Sequence, residues 1–194
     1  MASVLQTVRE GASQHPEEML DQSLVALVTA SGILSPEDDN HFLVEESDTP
    51  AMSVDVRQGF AYLRITDGSM VYPVWLHTED STVNIDSNAS GNPRIDSLVL
   101  YIDLGETPNT GATNVAKLEI VKGTPAGSPT APSSGTIEAQ IGASNPYMVL
   151  ADIQVDNGET TILDADITDQ RTAVTWREIV EGAMPGTELT GPSQ

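Results

Sequence analysis

The feature that most constrains this chain is a change of hydrophobic period near residue 41. Beyond it, apolar residues recur at every second position in short runs, and Gly, Pro, Asn and Ser separate the runs. Side chains alternate across an extended strand, so this period predicts half-buried strands. Met52, Val54 and Val56 alternate with Ser53, Asp55 and Arg57. Phe60, Tyr62 and Arg64 oppose Ala61, Leu63 and Ile65. Gly59, between the two runs, marks a tight turn or a bulge. Further strands are predicted over 70–76, 82–86, 96–103, 116–122, 147–155 and 160–164. In 96–103 both alternating sets are apolar, Leu98, Leu100 and Ile102 on one side and Val99 and Tyr101 on the other. A strand apolar on both faces belongs near the centre of a sheet. The pattern predicts a mainly β fold, an antiparallel sandwich or a barrel-like domain, over residues 41–172.

The two ends read differently. In the first forty residues, Leu20, Leu24, Leu27 and Val28 fall at helical spacing. Pro16 and the acids after it suit a helix start, and Gly32 suits a stop. An amphipathic helix is predicted over 16–31 of an N-terminal arm, 1–40. A weaker stripe of Val4, Leu5 and Val8 suggests a shorter helix before it. Such a helix either docks on a neighbour or packs on the protein's own sheet. Residues 173–194 form a C-terminal extension with a short helical stripe, Trp176, Ile179 and Val180. A Trp in that position is either an anchor between subunits or a lid on its own domain. Two loops complete the outline. One is the polar connection 104–115. The other is the Pro-, Gly- and Ser-rich segment 123–135, read as a long crossover within one domain.

Composition narrows the function. Twenty-nine acidic residues face eight basic ones, a formal net charge of -21. Nucleic-acid binding is driven by Lys and Arg neutralising phosphates, so no nucleic-acid partner is expected. The acids are scattered, which suits a solvated surface, with cation binding or a basic partner as sharper readings. Cysteine is absent, which removes disulfides and thiolate chemistry. No apolar run reaches the ~20 residues of a membrane helix, and the first ten residues do not resemble a signal peptide. The expectation is a protein made in the cytoplasm of a host cell, with no membrane partner. At 194 residues the chain can bury about two thirds of its unfolded surface without a metal.

Chemistry is sparse. His15, His41 and His77 lie in no recognisable motif, and no glycine-rich phosphate loop occurs. No cofactor and no catalytic residue is expected. Asp164, Asp166 and Asp169 alternate in LDADITDQR and could ligate calcium, although the segment lacks the glycine and terminal Glu of an EF-hand. In the other reading Asp169 pairs with a basic residue such as Arg171 and closes a loop. Arg94 immediately precedes the most apolar strand. A buried guanidinium must be paired, so Arg94 either snorkels or meets a carboxylate such as Asp96 or Asp169.

The order of segments carries a resemblance. Met52–Gly59, Asn92–Asp96 (NPRID), Val121–Pro132 (with GTPAGSPTAP), Leu150–Val155 and Ile167–Arg171 follow one another over about residues 48–172. This resembles a domain widespread in bacteriophage tail and baseplate proteins, including the particle-proximal parts of tail fibres. The resemblance implies a non-catalytic β-sandwich that mounts a fibre or receptor-binding part on a virion, often as a trimer. It implies structural roles for Gly59, Pro93 (strand entry), Arg94 and Asp96 (a pair), Gly123 (start of the crossover), Asp169 and Arg171. Longer members continue into shafts, whereas this chain stops about twenty residues after the signature, so receptor binding by this chain is in doubt. The expectation is a homo-oligomeric virion structural protein, a fibre-base or baseplate adaptor, bound to other virion proteins through the apolar stripes at its ends. A capsid-surface decoration or head fibre is the nearest alternative. A carbohydrate-binding attachment module is the alternative of another class.

Overall fold

The structure is a computed structural model that describes residues 5–7, 27–34, 40–65, 71–76, 81–106 and 116–176. In chain order the strands are β1 (Leu5–Thr7), β2 (Val28–Ala30), β3 (Gly32–Ile33), β4 (Val44–Glu46), β5 (Ser53–Val56), β6 (Gly59–Arg64), β7 (Val71–Leu76) and β8 (Ser81–Asn84). They continue with β9 (Arg94–Ile102) and β10 (Ala116–Val121). A helix, α1 (Ser134–Ile141), precedes β11 (Tyr147–Val155). A 3-10 turn at Asp164–Asp166, β12 (Ile167–Asp169) and β13 (Thr175–Trp176) close the described chain.

The fold is mainly β, and the paired strands run antiparallel. One sheet has the order β10-β9-β11-β12, a second β1-β7-β6-β3, a third β4-β5-β8, and β13 pairs with β2. Among the described residues no sheet closes on itself, so the body is layered rather than a closed barrel. The first sheet faces the second and third across one core. Leu98, Leu100, Ile102, Met148, Leu150 and Ile153 contribute from one side. Ile33, Val54, Val56, Ala61, Leu63 and Val74 contribute from the other, and Phe42, Ile85 and Ile162 seal it from loops.

The alternation expected of 59–64 is present: Gly59, Ala61 and Leu63 are buried, and Phe60, Tyr62 and Arg64 are partly exposed. β9 is an inner strand of the first sheet, as its two apolar faces demand. Its second face is covered by α1, whose Ile137 and Ile141 pack on Val99, Tyr101 and Val121. On β11 the register slips between Val149 and Ala151. This bulge, at Leu150, changes the parity of the strand, so Met148 before it, Leu150 itself, and Ala151, Ile153 and Val155 after it all reach the core.

Several expectations need correction. Residues 28–33 are strands rather than the end of a helix. Val28 pairs with Trp176 and is fully buried with Val71 and Val174, while β3 joins the second sheet beside β6. Residues 28–33 of the predicted arm are therefore paired into the sheets. Leu5–Thr7 is a strand paired to β7, not a helix. Thr175–Trp176 is a strand rather than a helical stripe. Residues 160–163 are not extended into a ladder, and the strand lies at 167–169 instead. The crossover after Gly123 leads into α1, which the sequence reading did not foresee. Leu20, Leu24, Ile179, Val180, His15 and His77 lie outside the described residues.

Candidate functional site

In an extended strand, residues i and i+2 share a face, so Arg94 and Asp96 project together from the start of β9. Arg94 is 5% exposed and Asp96 is 0% exposed. The Arg94 Nε lies 2.9 Å from Asp96 Oδ1 and 3.0 Å from Oδ2, and Nη2 lies 2.9 Å from Oδ2. Nη1 donates to the Ser87 carbonyl at 3.1 Å, and Nη2 also donates to the Asp86 carbonyl. The Gly123 N–H donates to Asp96 Oδ1 at 2.9 Å. The guanidinium thus ties the loop before β9 to the strand, and the carboxylate ties in the start of the crossover. Charge-assisted bonds of this kind offset the cost of taking both ions from water. Gly123 is required for a steric reason: a Cβ there would stand 1.9 Å from the Ile95 carbonyl oxygen. Ala126 N–H then bonds the Pro93 carbonyl, so the two segments run side by side.

A residue that the sequence reading passed over completes this lock. Asn88 is buried, and its Nδ2 donates to the carbonyls of Asn92 and Val155, each at 2.8 Å. Its Oδ1 accepts from the Ser90 hydroxyl at 2.8 Å and from the Ser90 N–H at 3.2 Å. The available signal was the Asn- and Ser-rich stretch SNASGN before NPRID, a composition that satisfies backbone groups in turns.

The second lock lies at the other end of the signature. Arg171 Nε and Nη2 reach Asp169 Oδ1 and Oδ2 at 2.9 and 2.7 Å, and the Arg171 N–H also donates to Oδ1. The Arg171 side chain is 6% exposed and that of Asp169 51%. The Arg171 hydrogen bond holds the Asp169 carboxyl below its usual range, against a smaller opposing effect of burial. Arg171 Nη1 donates to the His41 carbonyl at 2.8 Å, and His41 Nδ1 accepts from the Phe60 N–H. Phe42, next in the chain, is fully buried at a positive φ of 54°. A Cβ on Gly59 would stand 2.5 Å from the Phe42 nitrogen. Gly59 therefore serves a close backbone approach rather than a hairpin turn: β5 and β6 lie in different sheets, and the chain crosses between them at Arg57 and Gln58.

The three acids of the calcium reading each have a partner within the chain. Asp164 Oδ1 accepts from the Glu46 N–H, Asp166 Oδ2 from the Leu163 N–H, and Asp169 is committed to Arg171. Among the described residues no group of three His, Cys, Asp or Glu is placed to hold a metal ion. The Glu46 carboxylate in turn accepts from the Asp164 N–H, so these acids cap each other's backbone across the body.

A cleft of about 280 Å³ lies between the edges of β8 and β10, lined by Val83, Asn84, Asp86, Leu118, Glu119, Ile120 and Lys122. An ion pair between Asp86 and Lys122 accompanies it, and Lys122 holds the Asp86 carboxyl below its usual range. The lining has no Ser, Thr, Cys or His, and two of its three ionised groups, Asp86 and Lys122, are paired with each other. Among the described residues no helix is long and apolar enough to cross a membrane. No family model, curated protein or solved structure matches this chain.

Proposed function

We propose that this chain is a non-enzymatic structural protein of a phage or phage-like particle: a β-sandwich that mounts another component at a fibre base, tail or baseplate. The observation that carries this reading is where the signature residues go. Arg94, Asp96 and Gly123 form one buried lock, and Gly59, Asp169 and Arg171 meet His41 and Phe42 in another. Each ties distant segments together, and none lines the cleft. Side chains spent on stiffness suit a part that transmits load without deforming. An acidic body suits contact limited to chosen faces, because like charges suppress other associations.

In this reading the protein works as a homo-oligomer, with a trimer implied by the resemblance to tail and baseplate domains. Val28 drops out of the contact surface, since it is buried within its own chain. The test is mass spectrometry of purified particles from the source that encodes the chain, followed by separation of tails from capsids. The chain should travel with tail or baseplate proteins. Recovery with capsids would move it to the decoration class. Its absence from particles would sink the reading.

A further inference from the structure

Asn157 and Gly158 form the single Asn-Gly pair of the chain. In this dipeptide the glycine nitrogen carries no neighbouring side chain, and it can attack the Asn side-chain carbonyl. A bond forms between Gly158 N and Asn157 Cγ, the Cγ–Nδ2 bond breaks, and ammonia leaves with the amide proton. Water then opens the five-membered imide at either carbonyl, giving aspartate or isoaspartate. The net change is amide plus water to carboxylate plus ammonia, with no oxidant or cofactor.

Both reacting groups are held in the folded chain. The Gly158 N–H donates to the Asn88 carbonyl at 2.7 Å. The Asn157 Oδ1 accepts from the Gly91 N–H, also at 2.7 Å. The nucleophile is thus tethered to one loop residue and the electrophile to another, although Asn157 itself is exposed to water. Gly91 and Gly158 stand at φ values of 88° and 79°, conformations that fix this clasp and that L side chains rarely adopt. Asn88 is the buried hub of the same loop.

We propose that Asn157 is a latent deamidation site, kept unreactive by its clasp on the Asn88–Asn92 loop and exposed to reaction when that loop opens. The isoaspartate product would lengthen the backbone by one atom between residues 157 and 158. It would pull the Gly158 N–H off the Asn88 carbonyl and loosen the entry to β9. The aspartate product keeps an oxygen for the Gly91 N–H and leaves the clasp whole.

The experiment follows the mass gain of about one dalton, and the isoaspartate content, of the peptide spanning Asn157 in mildly alkaline buffer. The folded chain should deamidate at least about tenfold more slowly than the same chain in urea, because reaction then waits on local opening. Gly91→Ala, which strains the loop at a positive φ with open space around it, should react faster than wild type while its far-ultraviolet dichroism is unchanged. Equal rates in the folded and urea-unfolded wild type overturn the proposal, as does no reaction in urea. That comparison decides the matter even if Gly91→Ala does not fold.

Discussion

Replacing Arg94 by Ala removes one member of a fully desolvated pair. Asp96, at 0% exposure, is left as a buried carboxylate whose remaining partner is the Gly123 N–H. The Asp86 and Ser87 carbonyls also lose their donor. Breaking a buried ion pair from one side costs about 3–5 kcal/mol. For a domain of this size about 1 kcal/mol moves the melting temperature by roughly 2–4 °C, so Arg94→Ala should melt roughly 6–20 °C lower. Differential scanning calorimetry reads the shift, and urea unfolding followed by circular dichroism reads the energy. The double variant Arg94→Leu/Asp96→Leu should recover part of the loss, because no buried ion is then left alone. It should not recover all of it, since the Gly123 N–H loses its acceptor and the links from Arg94 to the Asp86 and Ser87 carbonyls are gone. A melting temperature for Arg94→Ala within about 2 °C of wild type would refute the assignment of Arg94 as a structural lock.

Two further tests probe the locks. Gly123→Ala places a Cβ 1.9 Å from the Ile95 oxygen and should cost more than about 2 kcal/mol, while Gly127→Ala, with open space around it, should stay within about 0.5 kcal/mol in the same urea titration. Asp169 has a folded pKa below its unfolded value, so its pairing with Arg171 contributes stability above the unfolded pKa of ~3.9 and loses it as pH falls through the folded pKa. Asp169→Asn should therefore be less stable than wild type at neutral pH, by no more than about 1 kcal/mol given its half-exposed side chain. The gap should close below about pH 4. A gap that persists at acid pH would place the effect elsewhere.

The strands were legible in the sequence wherever burial was one-sided and local. Val54 and Val56 against Asp55, or Ala61 and Leu63 against Tyr62, state their own faces because a strand puts neighbours on opposite sides. The doubly apolar 98–102 announced a central strand, though not what covers its second face. The covering helix α1 was hidden in a Gly-, Ser- and Pro-rich stretch. Its own propensity is poor, with Gly135 and Thr136 inside it. Its traces were the Ser133 cap, which accepts from the Thr136 N–H, and Ile137 and Ile141 one turn apart. Packing on Val99 and Tyr101 supplies what propensity lacks.

The opposite error occurred at 28–30. Leu20, Leu24, Leu27 and Val28 fit a helical stripe, yet pairing with β13 and burial against Val71 and Val174 hold Val28 as a strand. A partner nearly 150 positions away cannot be read from local spacing. For the candidate site, the sequence alone determined that Arg94, beside so apolar a strand, either snorkels to water or meets a carboxylate, and its burial in the fold decides for the carboxylate. Between Asp96 and Asp169 only the fold could choose. The i, i+2 geometry of β9 favours Asp96 for Arg94, and the arrival of His41 beside Arg171 completes the second pair. The period of side chains is a local property of the backbone. Which of twenty-nine acids meets which of eight bases is a property of the packed body, where desolvation makes only the right pairing affordable.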